Sequence, residues 1–177
     1  MTLPVDDYAP LAPVSICDPS PKPGVQRFRD FVLARWGGVD LGISRDCGGQ
    51  PPTSKHHEGR AWDWGPPDRE TADRAIAEML AVGPSGEPHE LARRAGLRVI
   101  IWWRRIWVSR PPYEWHAYAR SPHTDHVHFG LGWPGAMGET SLYQDDEEGG
   151  GSDAAPTFPA PGYRCPCCGG VLGVREV

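Results

Sequence analysis

The sequence predicts one small α+β domain that carries a long polar tail. Three observations point there. Apolar residues recur at helical spacing from Val25 to Trp36 and again from Asp68 to Val82. A dense apolar run of strand length spans Val99 to Trp103. Apolar and polar residues alternate from His126 to Leu131, as on a strand with one face buried. At 177 residues the chain is long enough for one ordinary domain and a tail, and too short for two full domains. Gly (22) and Pro (20) make up nearly a quarter of it, so long irregular segments are expected around a small ordered centre.

Residues 1–23 read as a Pro-rich lead-in, because proline fixes φ and removes a backbone donor. In the first helix Val25, Phe28, Val32 and Trp36 form the apolar face, Phe31 and Leu33 widen it, and Gly37-Gly38 ends it. Residues 44–55 are polar and rich in Gly and Pro, hence loop. A second helix fits Asp68 to Val82 with Ala72, Ile76, Met79 and Leu80 inward, and a third, short one fits Pro88 to Ala95. Val99 to Trp103 and Ile106 to Val108 read as neighbouring strands with Arg104-Arg105 in the turn. Beyond Trp133 the composition changes. The reading is a folded domain over 24–135, an acidic Gly/Pro-rich linker over 136–162 and a Cys-rich tail over 163–177.

The 18 Lys and Arg against 23 Asp and Glu leave a net charge of −5, which argues against a broad electrostatic footprint for nucleic acid. The longest apolar run is far too short to span a bilayer. The start Met-Thr-Leu-Pro-Val-Asp-Asp is acidic and proline-broken, unlike a signal peptide. Five cysteines are an odd number. Cys17 and Cys47 are either bridged or two free thiols, and composition does not separate the two. Cys165, Cys167 and Cys168 resemble half of a zinc ribbon, a candidate second metal site that lacks its second pair.

Two segments concentrate the chemistry: Ser54-Lys-His-His-Glu-Gly-Arg-Ala-Trp-Asp63-Trp64 and His123-Thr-Asp-His-Val-His128. Catalytic zinc takes three His or carboxylate ligands and keeps a fourth position open. His56 and Asp63 can converge across two helical turns, or through a loop that turns at Gly59 into a short strand from Ala61 to Trp64. On a strand Trp62 and Trp64 would then face away from Asp63, into the core, while His126 and His128 would share a face. His57, His89 and His116 read as surface or structural residues, and most tryptophans as core.

Ser54, His56, Gly59, Ala61 and Asp63, followed far downstream by Asp125, His126 and His128, resemble the motifs of the zinc D,D-peptidases of peptidoglycan (LAS-type metallopeptidases). That group includes D-Ala-D-Ala carboxypeptidases, vancomycin-resistance dipeptidases and phage L-Ala-D-Glu endopeptidases, and it shares the hedgehog/D,D-peptidase fold. The resemblance covers about residues 24–131 and is closest to actinobacterial or phage members. It implies a small antiparallel sheet with helices packed on it and one catalytic Zn²⁺ held by His56, Asp63 and His128. It also implies Asp125 as general base, with His126 orienting or stabilising the transition state. Arg45 is the candidate for holding a substrate carboxylate or oxyanion, with Arg60 as the alternative, and Ser54 is a further substrate contact. The implied activity is hydrolysis of peptidoglycan stem peptides or cross-links by a monomer, made in the cytoplasm and released to the wall by phage lysis, as an endolysin, or by non-classical export. The alternative is a catalytically inactive hedgehog-like wall-binding module with a structural zinc.

Overall fold

The structure is a computed structural model that describes residues 4–49, 51 and 53–144. Among these residues the chain forms four α-helices and one six-stranded antiparallel sheet, an α+β architecture. Helix α1 (Pro23–Trp36) starts earlier than the apolar period alone suggests. Pro23 occupies its first turn, where a missing N–H costs nothing. It ends at Gly37, which takes φ 72° and returns its N–H to the Leu33 carbonyl. Helix α2 (Arg69–Met79) is capped by Asp68, whose carboxylate accepts the Thr71 N–H at 2.7 Å. Helix α3 (Glu90–Arg94) is shorter than its predicted span.

Strands β1 (Val39–Asp40), β2 (Ala61–Gly65), β3 (Leu97–Trp102), β4 (Arg105–Val108), β5 (Trp115–Ala117) and β6 (Val127–Leu131) lie in the order β1-β2-β6-β3-β4-β5. The last strand therefore inserts between β2 and β3 and is buried along its whole length. The β3–β4 turn falls one residue earlier than the sequence suggests. Trp102 pairs with Arg105, so Trp103 and Arg104, with φ of 48° and 63°, form a two-residue turn and Arg105 begins β4. The tryptophans decide this register. Pairing Ile100 with Trp107 buries both, whereas a one-residue slip would turn Trp107 to the other face.

One face of the sheet is apolar. Phe28 of α1 meets Phe129 and Trp62 edge-on at ring separations of 5.3 and 6.2 Å, and Trp62 stacks on Phe129 at 5.9 Å. Trp62, Trp64, Phe129 and Phe28 are all fully buried. Alternation along β2 and β6 then sends Asp63 and His128 to the opposite face.

Among the described residues before Pro23 the proline-rich lead-in has no helix or strand, yet it lies along the body. The Asp18 and Lys22 amides donate to the carbonyls of His57 and Gly59 at 2.8 and 3.1 Å. Packing also continues past residue 135. Helix α4 (Trp133–Met137) and a 3₁₀ turn at Ser141–Tyr143 bury Ala136, Leu142 and Tyr143, and the Tyr143 hydroxyl donates to the Ala95 carbonyl at 3.0 Å. Cys165, Cys167 and Cys168 and most of the expected linker lie outside the described residues. Among the described residues no helix is long and apolar enough to cross a membrane.

Candidate metal centre

Strand register builds the site. Asp63 of β2 and His128 of β6 are direct cross-strand partners on the polar face, which places their side chains side by side. His56 arrives from a 3₁₀ turn (Lys55–Glu58) that leads into β2. Ser54 caps that turn, its hydroxyl accepting the His56 N–H at 3.4 Å. Gly59 ends it in the left-handed region at φ 61°, and a Cβ there would stand 2.0 Å from the Ser20 carbonyl oxygen of the lead-in. Of the two routes open in the sequence, the turn at Gly59 into a strand is the one taken.

The three candidate ligand atoms form a near-regular triangle. His56 Nε2 is 3.1 Å from Asp63 Oδ1 and 3.1 Å from His128 Nδ1, and His128 Nδ1 is 2.9 Å from Asp63 Oδ1. Ligands about 2.0–2.1 Å from a tetrahedral centre stand roughly 3.3 Å apart, so the triangle fits a small cation with little adjustment. The protonation states fit as well. His56 Nδ1–H donates to the Ile43 carbonyl at 2.7 Å, which leaves the Nε2 lone pair facing its partners. Burial pushes His128 down to about 4, against the pull of the Asp63 carboxylate, so the ring is neutral at pH 7. For Asp63, burial opposes ionisation, but the adjoining His128 and His56 rings outweigh it and hold the carboxyl well below its usual range. Two imidazoles and one carboxylate therefore converge on a point that can hold a metal ion.

The other expected site residues separate into two groups. Arg45 lies at the centre: its Nη2 is 3.9 Å from Asp63 Oδ2, its side chain is 57% exposed, and its amide donates to the His56 carbonyl. His126 precedes β6 instead of lying on it, yet its Nε2 still reaches within 4.0 Å of Asp63 Oδ1. Asp125 is an exposed neighbour of His126. It is 84% exposed, and its Oδ1 accepts from His126 Nδ1 at 2.8 Å. His126 thus stands between Asp125 and the ligands, the reverse of the order expected for Asp125 as the base.

Arg60 does not meet the expectation of a substrate contact. It is 1% exposed, its Nε pairs with the fully buried Glu58, and its other nitrogens donate to the carbonyls of Leu131, Ala12 and Pro13. Ser54 is occupied in starting the turn.

Two contributors had no assigned role in the sequence reading. His123 is 8% exposed, with its ring 4.6 Å from that of His126 and 5.9 Å from that of His128. It adopts φ 44° and its carbonyl accepts the Trp103 N–H at 2.9 Å, so the β3–β4 turn holds it there. Its presence three residues before His126 was the available signal. The Ile43 carbonyl, which orients His56, is a backbone atom and leaves no trace in the sequence.

Cys17 and Cys47 are joined in a disulfide that ties the lead-in to the loop carrying Arg45. No curated protein and no solved structure matches the chain. Residues 17–129 match the family profile described as VldE, C-terminal domain, a span that runs from the first bridged cysteine through all three candidate ligands. On that match, which covers well over half of its length, the chain belongs to the VldE C-terminal domain family.

Proposed function

We propose that this chain is a zinc-dependent peptidase that hydrolyses peptide bonds of bacterial peptidoglycan, as a D,D-carboxypeptidase or endopeptidase, on a fold of the hedgehog/D,D-peptidase type. The observation that carries the reading is the approach of His126 Nε2 to a buried His-Asp-His triangle with the donor set of hydrolytic zinc. A zinc ion, when bound there by His56, Asp63 and His128, polarises a carbonyl and lowers the pKa of water.

The chain's own groups supply the rest. His126 Nε2 accepts the proton of the attacking water and returns it to the leaving amine. Asp125, at 2.8 Å from Nδ1, holds the ring in the tautomer that keeps Nε2 free. These roles invert the first assignment of Asp125 and His126, because the exposed Asp125 carboxylate lies behind the imidazole. The half-exposed Arg45 guanidinium beside the triangle suits a substrate carboxylate or a developing oxyanion. A disulfide supports action outside a reducing cytoplasm, where wall peptides are found.

The test uses the full chain and a defined muropeptide, with fragments mapped by mass spectrometry. Zinc-loaded protein should release one stem-peptide fragment, and the fragment masses name the bond. A chelator should stop the reaction and added zinc restore it. Asp63→Ala should lose both metal and activity. His126→Ala should keep one zinc per chain while kcat falls by about 10²–10⁴-fold. Failure of the zinc-loaded chain to cut any muropeptide, or zinc binding that survives Asp63→Ala, would overturn the reading.

A further inference from the structure

The loop that carries Arg45 stands off the body. Ile43 at its start is buried in the core, but Ser44, Arg45, Asp46, Gly48 and Gly49 are exposed. Gly48 and Gly49 take φ of 56° and 74°, and a Cβ on either would meet nothing within 4 Å. Among the described residues from Asp46 to Pro51 the hydrogen bonding is internal to the loop, from the Gly48 amide to Asp46 Oδ1 at 3.1 Å. The chain rejoins the body at Thr53, whose amide donates to His57 Nδ1 at 3.1 Å.

Arg45 is weakly held by its own contacts. Its amide donates to the His56 carbonyl at 3.2 Å, and its guanidinium reaches Asp63 Oδ2 only at 3.9 Å. An ion pair that long, on a side chain more than half exposed, contributes little. The Ser44 hydroxyl adds an exposed hydrogen bond to the Pro19 carbonyl, of small net worth in water.

The covalent tie is the Cys17–Cys47 bridge, two residues beyond Arg45. Its other end is anchored on the metal centre. The Ser15 and Ile16 amides donate to Glu58, and the Asp18 amide donates to the His57 carbonyl. Cys17 is therefore bracketed by bonds to the turn that presents His56. Cys17 is also exposed, and so within reach of a thiol in solution.

We propose that Cys17 and Cys47 are redox-sensitive positioning residues: their bridge holds Arg45 beside the metal centre, and its reduction lets Arg45 swing away while the fold persists. The part given to Arg45 rests on the peptidase reading above; the tethering of its loop does not. Small-molecule thiols balance the step. Two of them give up two protons and two electrons, the Cys17–Cys47 bond breaks to two thiols, and the pair leaves as its own disulfide. A small-molecule disulfide runs the same step backwards. The site is thereby weakened where thiols are plentiful and complete where they are scarce.

The experiment uses the full-length chain carrying Cys165→Ser, Cys167→Ser and Cys168→Ser, which leaves Cys17 and Cys47 as its cysteines. It is compared oxidised, reduced by a phosphine that is then removed under argon, and re-oxidised with glutathione disulfide. Circular dichroism and thermal melts establish whether each form is folded at the assay temperature. Trypsin should cut after Arg45 roughly tenfold faster in the reduced form, with the sites mapped by mass spectrometry. With zinc loaded, reduction should lower kcat/KM on the muropeptide by roughly tenfold or more, and re-oxidation should restore it. Adding Cys17→Ser/Cys47→Ser should reproduce the reduced form and abolish the response to oxidant. In Arg45→Ala the two redox forms should agree within about twofold, whereas a general loosening would lower both chains alike. Unchanged trypsin cleavage after Arg45, global unfolding on reduction, or an equal loss in Arg45→Ala would overturn the proposal. Faster cleavage after Arg45 in a chain that cuts no muropeptide removes the peptidase reading and leaves the tether. Equal kcat/KM in the two forms of an active chain removes the redox control alone.

Discussion

Replacing Arg60 by methionine should destabilise the protein far more than any loss of a surface arginine. Glu58 is 0% and Arg60 1% exposed, and the two side chains form a buried ion pair. The other Glu58 oxygen accepts the amides of Ser15 and Ile16 at 2.9 and 3.4 Å. Arg60 carries the network on to the Leu131, Ala12 and Pro13 carbonyls at 3.2, 3.0 and 3.3 Å, and its guanidinium lies 5.1 Å from the Trp133 ring. One pair therefore joins the lead-in, the turn before β2, the end of β6 and the start of α4. Removing the cation leaves a buried carboxylate and three carbonyls without their partner. Breaking a buried pair from one side costs about 3–5 kcal/mol. For a chain of this size each kcal/mol moves Tm by roughly 2–4 °C, so Arg60→Met should melt on the order of 10 °C lower. Urea unfolding followed by tryptophan fluorescence should show a lower midpoint at unchanged m. The double variant Glu58→Leu/Arg60→Met should lose less than Arg60→Met alone, because no uncompensated charge remains. A single variant within about 1 kcal/mol of wild type, or a double variant worse than the single, would refute the reasoning.

Two further outcomes follow from the same packing. The Cys17–Cys47 bridge closes a loop with a sequence separation of 30, and in the chain-entropy account that is worth roughly 3.6 kcal/mol, so Cys17→Ser/Cys47→Ser should unfold at correspondingly lower urea. Glu90 titrates with a direct sign. Burial opposes its ionisation, but hydrogen bonds from Ser85 and Arg94 outweigh this and lower its value from 4.5. Its stabilising contribution is therefore complete above the unfolded value and is lost as pH falls through the lower folded one. Glu90→Gln should accordingly show a smaller drop in urea midpoint between pH 5 and pH 3 than wild type does.

Much of the architecture was legible because it is local. The spacing of Val25, Phe28 and Val32 specifies the buried face of α1, and all three are fully buried. Asp68 marks the start of α2 through its carboxylate, and Gly37 the end of α1 through its φ. The alternation around Asp63 placed Trp62 and Trp64 in the core, and the structure buries both completely. The shifted β3–β4 turn was not legible, since two residues of left-handed backbone at Trp103 and Arg104 have no preference of their own to announce them. Packing of Trp107 imposes that conformation.

The sequence by itself therefore determined which residue types stand close along the chain and which faces are apolar, because periodicity and capping act over a few residues. Only the tertiary structure decided what meets across long intervals. The insertion of β6 beside β2 sets Asp63 against His128, 65 positions apart. Burial turned Arg60 from a candidate contact into an internal strut, and the approach to β6 put His126 ahead of Asp125. Each of these depends on strand order and desolvation, which are properties of the assembled chain and of no segment read alone.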